Sequence, residues 1–182
     1  SFVAVNMGTI PGEGRVSMAD NGTQLMVLIP GGNGYIIDES SGTPFLPITD
    51  AGFTANGNPE IVVFIDSFFV CSTDSKKFIK SASNDGINWS ALDFGSAESD
   101  PDIIRSVHVF NNKLYVAGSE TIEEYQNAGV GGFPFQRTGF FIDKGVFAPL
   151  SMISANNTFM FIGGGTNESP AMWALAGNSV TK

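Results

Sequence analysis

Residues 106–118 read Ser-Val-His-Val-Phe-Asn-Asn-Lys-Leu-Tyr-Val-Ala-Gly. Apolar residues alternate on both sides of Asn111-Asn112, which predicts strand, two-residue turn, strand. The same phrase occurs three more times. Ile61 to Phe64 lead into Asp66-Ser67 and then Phe68-Phe69-Val70-Cys71. Ser151 to Ser154 lead into Asn156-Asn157 and then Phe159-Met160-Phe161-Ile162-Gly163. Val16 to Ala19 lead into Asn21-Gly22 and then Leu25-Met26-Val27-Leu28. The turn residues Asn21, Asp66, Asn111 and Asn156 each stand 45 residues from the next. A repeat of that length built from several strands predicts an all-β chain, a β-propeller arc of four blades.

Working outward, the blades are expected over residues 14–49, 59–95, 101–139 and 146–182. Asn21-Gly22 is expected to be a tight two-residue turn, since both residue types accept positive φ. Pro30 to Gly34 predict the next turn of unit one, and Phe2 to Val5 a leading apolar strand. The last turn of unit two, Ser83-Asn84-Asp85-Gly86-Ile87-Asn88-Trp89, resembles an Asp-box, a hairpin signature of many propeller blades. In that reading Ser83 and Asp85 bond turn N–H groups, Gly86 takes positive φ and Trp89 packs over the hairpin. The role is structural; the alternative is a catalytic or metal-binding Asp85. A lone four-stranded sheet cannot bury both of its faces, so blades stack radially. Four blades leave bare apolar ends unless the ring closes. The chain opens on Ser1 and stops at Lys182, just after Asn178-Ser179 turn toward another strand. It is therefore expected to be part of a longer polypeptide and of a larger propeller.

Composition agrees with this architecture. The 182 residues include 22 Gly and 16 Phe, with 42% hydrophobic and 15% charged. Many turn formers and aromatics with few charges suit an all-β protein. Nine Lys and Arg against eighteen Asp and Glu give a net charge of −9. Such a surface repels phosphate backbones, so no tight nucleic-acid binding is expected. The lone Cys71 cannot form an internal disulfide and reads as a buried small hydrophobe. No apolar run has the length of a membrane span, so no membrane partner is expected.

The chemistry-bearing residues are sparse. His108 is the only histidine, and no second His or Cys completes a metal site. A Ser-His-Asp triad has no marked nucleophile. The run Glu98-Ser99-Asp100-Pro101-Asp102 lacks the spacing of calcium loops and reads as a solvated linker. Glu120, Glu123 and Glu124 lie around one strand, and Lys76, Lys77 and Lys80 read as an exposed basic spot. No catalytic residue, metal or cofactor is expected.

Three stretches carry a family resemblance. Gly14-Arg15-Val16-Ser17-Met18-Ala19, then Ser119 to Tyr125 around Thr121-Ile122-Glu123, then Lys144-Gly145-Val146 resemble, in order, the packaged-DNA stabilisation protein of P22-like short-tailed bacteriophages. That family is also called the tail accessory factor or tail hub. The resemblance spans about residues 14–165, with unit two least matched. It implies a virion protein of the phage tail, made in the bacterial host cytoplasm, and not an enzyme. It implies a ring, expected as a hexamer, below the portal. Such a ring extends the DNA channel, retains packaged DNA and offers attachment to other tail and portal proteins. Two other readings compete. One is a carbohydrate- or protein-binding propeller module. The other is an Asp-box glycoside hydrolase, which would need Arg15, Arg105 and Arg137 to converge.

Overall fold

The computed structural model describes residues 3–29, 31–38, 40–97, 102–177 and 179–182. Pro30, the run Glu98 to Pro101 and Asn178, singled out above, lie outside the described residues, as does Phe2. Four antiparallel sheets follow one another along the chain. Blade 1 holds β1 (Ser17–Asp20), β2 (Leu25–Ile29), β3 (Asn33–Ile37) and β4 (Phe45–Pro47). Blade 2 holds β5 (Pro59–Ile65), β6 (Phe68–Thr73), β7 (Lys77–Ala82) and β8 (Asp85–Ser96). Blade 3 holds β9 (Ser106–Phe110), β10 (Lys113–Ala117), β11 (Ile122–Asn127) and β12 (Phe135–Ile142). A short β13 (Gly145–Val146) leads into blade 4, built from β14 (Ile153–Ala155), β15 (Thr158–Gly164), β16 (Ala171–Ala176) and β17 (Ser179–Thr181). The fold is the all-β, four-blade propeller arrangement that the repeat predicts. Val3 and Val5 form no strand; they run exposed ahead of blade 1.

The repeat turns explain the hairpins. Asp66 and Ser67 have φ of 49° and 73°, Asn111 and Asn112 of 48° and 57°, Asn156 and Asn157 of 48° and 58°. Both central residues are left-handed, so the turn twist matches the strand twist and two residues suffice. Ile65 pairs Phe68, Phe110 pairs Lys113 and Ala155 pairs Thr158.

Blade 1 departs from this. Asp20 pairs Leu25 across a four-residue loop. Only Gly22 has positive φ there, at 90°. The Asn21 carboxamide oxygen instead accepts from Thr23 N at 3.0 Å and Gln24 N at 2.7 Å. Asn21 acts through its side chain, as an Asx turn, and not through a left-handed backbone.

Side chains then alternate between neighbouring blades. Phe69 and Cys71 pack with Met26, Leu28 and Ile36 between blades 1 and 2. Val70 and Ile65 pack with Val107, Leu114 and Val116 between blades 2 and 3. Tyr115, Ala117 and Ile122 pack with Phe159, Phe161 and Leu175 between blades 3 and 4. Each large residue sealed this way contributes roughly 1.5–3 kcal/mol. In blades 2 to 4, residues 45 apart face the same way, as Phe69, Leu114 and Phe159 do. Met26 breaks the rule: it faces forward, whereas Cys71, 45 residues on, faces back. Ser17 breaks it too, facing Val62 N of the next blade while Val62 itself faces back. Blade 1 is thus offset by one residue from the 45-residue repeat on both sides of its loop, and in a strand one residue flips the face.

The Asp-box-like turn is also reorganised. The turn proper is Ser83-Asn84, and β8 starts at Asp85, paired with Ala82. Asn84 takes the positive φ, 53°, which the sequence assigns to Gly86. Gly86 serves close packing instead, since a Cβ there would lie 2.4 Å from Ile36 Cδ1. Asp85 Oδ1 accepts from Ile87 N at 2.9 Å, and Trp89 Nε1 donates to the Gly86 carbonyl at 2.8 Å. The Trp89 ring is buried against Phe53, centroids 4.9 Å apart. Ser83 lies exposed in the turn.

Candidate functional site

The first strands of the blades run side by side around one axis. Ser17 Oγ accepts from Val62 N at 3.0 Å, and Ser106 Oγ donates to the Pro149 carbonyl at 2.7 Å, so hydroxyls stitch neighbouring blades there. At the end where these strands begin, residues of all four blades enclose a cleft of about 770 Å³. Its polar lining includes Arg15, Arg105, Glu60 and Asp74; Ile104, Leu150 and Ile162 are among the apolar walls.

The charges in this cleft are not equivalent. Asp74 is pinned by Asn58, whose backbone N and side-chain Nδ2 each donate to it at 2.7 Å. Glu60 has its carboxyl raised above the usual range, first by desolvation and then by the charge of Asp74. Arg15 and Arg105 are exposed, and among the described residues neither has an ion-pair partner. Four other cations are paired: Lys80, Lys113, Arg137 and Lys144. In a chain with twice as many acids as bases, two unpaired arginines at one opening are the feature that a negatively charged or hydrogen-bonding partner group would meet.

Arg137 is not part of it. It pairs with the buried Glu123 carboxylate at 2.9 Å, on the outer strands of blade 3. The three arginines that a sialoside clamp would require therefore do not converge. Glu124 is buried too, accepting from Lys113 Nζ at 2.6 Å and the Tyr115 hydroxyl at 2.7 Å. Burial pushes the Tyr115 phenol up, with the Glu124 carboxylate adding to it. Glu120 accepts from Thr166 at 2.7 Å. Asp102 accepts from Glu120 N at 2.8 Å and Ser119 Oγ at 3.1 Å, which ties the start of blade 3 to its own β10–β11 turn.

His108 lies half-buried between β9 and β14, its Nε2 2.8 Å from Ser154 Oγ and its ring 5.6 Å from Phe159. Desolvation holds it below the ordinary imidazole value. A serine and a histidine thus meet at hydrogen-bond distance. Among the described residues no carboxylate bonds the other ring nitrogen, so the orienting third group of a triad is missing. No group of His, Cys, Asp and Glu among the described residues is arranged to hold a metal ion.

Two assignments made from sequence are corrected. Lys80 is not an exposed base: it is buried, pairs with Asp93 at 2.5 Å and lies over the Phe68 ring. Lys77 likewise donates to Asn56 Oδ1 at 2.9 Å. Gln24 was not foreseen. Its Oε1 accepts from Gly86 N at 2.9 Å, joining the loop of blade 1 to the outer hairpin of blade 2 across 62 residues. Cys71 is fully buried, and desolvation raises its thiol well above the usual range. The motif Lys144-Gly145-Val146 has a steric reason: a Cβ on Gly145 would lie 2.0 Å from the Ser119 carbonyl carbon. The blade 3 to blade 4 crossing tolerates no side chain there.

Comparison with solved structures finds chains of similar fold at low sequence identity. The computationally designed Ika4 protein superposes with a TM-score of 0.56 at 12% identity, over 96% of this chain and 100% of that one. PorZ, a bacterial surface component of the type-IX secretion system of Porphyromonas gingivalis, gives 0.50 at 12% identity, over 92% of this chain and 20% of its own. BamB from Moraxella catarrhalis gives 0.48 at 8% identity, over 88% and 45%. At these identities the likeness concerns the fold alone. No curated protein sequence matches the chain. A family profile described as "Bacteriophage P22 Gp10, beta-propeller" matches residues 1–182, and the chain belongs to that family of phage structural proteins.

Proposed function

We propose that this chain is part of a phage tail hub, a virion protein that sits below the portal, extends the DNA channel, retains packaged DNA and gives other tail proteins a surface to grip. The observation that carries this reading is the family membership over the whole chain. The physical character of the molecule supports it. Its stack of sealed sheets is rigid, and rigidity is what an attachment scaffold needs. A net charge of −9 repels a passing DNA backbone, and a conduit that held DNA tightly would stall ejection. In this reading the protein works as a homo-oligomeric ring of six copies, its partners are other tail and portal proteins, and it performs no catalysis.

Electron micrographs of the assembled protein test the ring: six-fold particles are expected, and persistent monomers would count against it. Filter binding at low salt tests the conduit: weak binding is expected, and tight, salt-sensitive DNA binding would overturn it. A second reading is favoured by one observation, the two arginines at the axial cleft that have no ion-pair partner among the described residues. There the chain would be a module binding an anionic glycan or an acidic protein segment. A glycan array read against a pull-down with portal protein separates the two.

A further inference from the structure

The axial cleft carries charge of both signs. Arg15 reaches it from the segment before β1 and Arg105 from the segment before β9, while Glu60 lies on β5 and Asp74 in the β6–β7 turn. Blade 2 therefore brings the acids, and the blades on either side of it bring the bases. The two signs do not neutralise each other. Neither arginine has an ion-pair partner among the described residues. Desolvation and the charge of Asp74 raise the Glu60 carboxyl, and the arginines do not offset them. A carboxylate raised in this way is stabilised by an incoming cation, and a guanidinium by an incoming carboxylate.

The other polar groups of the cleft are already engaged. Ser17 Oγ accepts from Val62 N at 3.0 Å, and Ser151 Oγ from Ile162 N at 2.9 Å. Asp74 is fixed by its two bonds from Asn58, so it is a rigid negative charge. The rest of the lining is aliphatic. Ile103 and Leu150 contribute to it while 52% and 44% exposed, so apolar surface stands bare beside the charges. The chain has 16 Phe, 2 Trp and 3 Tyr, yet none of the described residues that line the cleft is aromatic. Sugar rings and nucleobases are held by stacking on aromatic faces. Aliphatic walls instead gain by burying an aliphatic side chain. The volume, about 770 Å³, lies within the roughly 300–1,000 Å³ of small-ligand sites.

We infer that this cleft seats a short peptide segment that carries a carboxylate for Arg15 and Arg105, an ammonium group for Glu60 and Asp74, and an aliphatic side chain between them. The inference rests on the second reading of function, an anionic partner at the two arginines, and adds the cation and the aliphatic body. It takes the peptide and not the glycan as the occupant.

Titration calorimetry at low salt tests it with trileucine, which has both charges and aliphatic side chains. The comparison probes are N-acetyl-trileucine, trileucine amide, triglycine and sialyllactose. Trileucine is expected to bind, and loss of either terminal charge to weaken it about tenfold. Triglycine and sialyllactose are expected to bind more weakly still. Glu60→Gln should abolish the difference between trileucine and its acetyl form, and Arg105→Gln the difference between trileucine and its amide. The capped peptides remove the same charges without altering the protein, so the test does not depend on either variant folding. N-acetyl-trileucine or sialyllactose binding as tightly as trileucine would overturn the inference and leave the anionic reading standing. Triglycine binding as tightly would overturn it by removing the aliphatic body. If none of the five probes binds, both the inference and the reading beneath it fall.

Discussion

The forward faces of blades 3 and 4 occupy equivalent positions in the repeat and have opposite fates. Tyr115 and Ala117 lie under Phe159 and Phe161, whereas no comparable rings among the described residues cover Met160 and Ile162, and Ile162 is 44% exposed. Their sequences do not foretell this difference: both strands alternate, and both faces are apolar. A propeller blade is not an amphipathic sheet with one wet side, so burial is decided by whether a neighbour is stacked on it. The two faces differ in another respect. Blade 3 sets a polar knot, Tyr115 with Glu124 and Lys113, at the edge of its sealed face. Met160 holds the place of Tyr115 in blade 4 and brings no such partner.

The largest effect should come from the sealed side. Phe159→Ala removes a fully buried ring that touches Tyr115 at 4.8 Å and Phe110 at 5.6 Å. A loss of about 3–5 kcal/mol is expected from urea midpoints. Ile162→Ala, at a site 44% exposed, should stay within about 0.5 kcal/mol. Equal losses at the two sites would break the comparison.

The polar knot should come next. Glu124→Ala strands a buried phenol and leaves Lys113 without its carboxylate, which costs about 1–3 kcal/mol. Glu124 also gives the interface an acid limb. Burial acts to raise its pKa, but hydrogen bonds from Lys113, Tyr115 and Thr138, with the Lys113 charge, bring it below the ordinary 4.5. A carboxyl lowered on folding contributes stability in full above its unfolded value, and that stability is lost as pH falls through the folded one. Glu124→Gln should therefore flatten the loss of stability below about pH 4.5. An unchanged acid limb would show that other carboxyls dominate.

The turns should give smaller effects of opposite sign. Asn156→Ala forces an alanine to φ near 48° and should cost about 1 kcal/mol, while Asn156→Gly relieves the strain and is neutral or better. Asn21 has no such φ and works through its carboxamide, so Asn21→Gly should cost about 0.5–1.5 kcal/mol by losing the turn bonds. If Asn21→Gly proved as benign as Asn156→Gly, the distinction between the first hairpin and the others would fall. The smallest effect is expected at Leu92→Ser, within about 0.5 kcal/mol by thermal melting.

Much of the fold was legible because its signals are local. Paired left-handed turn residues at a constant spacing require only φ preference and alternation, which a chain carries in its own letters. Blade 1 shows where that stops: Asn21 keeps the period, yet the strands on both sides of its loop are offset by one residue and present the opposite faces. The site was less legible. Arg15, Arg105 and Arg137 look alike in sequence, and only stacking brings two of them to one opening while Glu123 takes the third. Lys80 looks solvent-facing until Asp93 and Phe68 close over it. Gln24 and Gly86 have no sequence signal that joins them.

By itself, then, the sequence determined the strands, the hairpins, the order of four alike sheets and an acidic surface, because backbone preference, apolar alternation and net charge are properties of neighbours along the chain. Which faces are sealed, which charges are paired and where the axial cleft opens were decided by the tertiary structure. The sealed faces and the cleft depend on distant residues meeting between blades, the ion pairs on residues 11 to 24 apart meeting across strands, and an offset of a single residue is enough to change which of them meet.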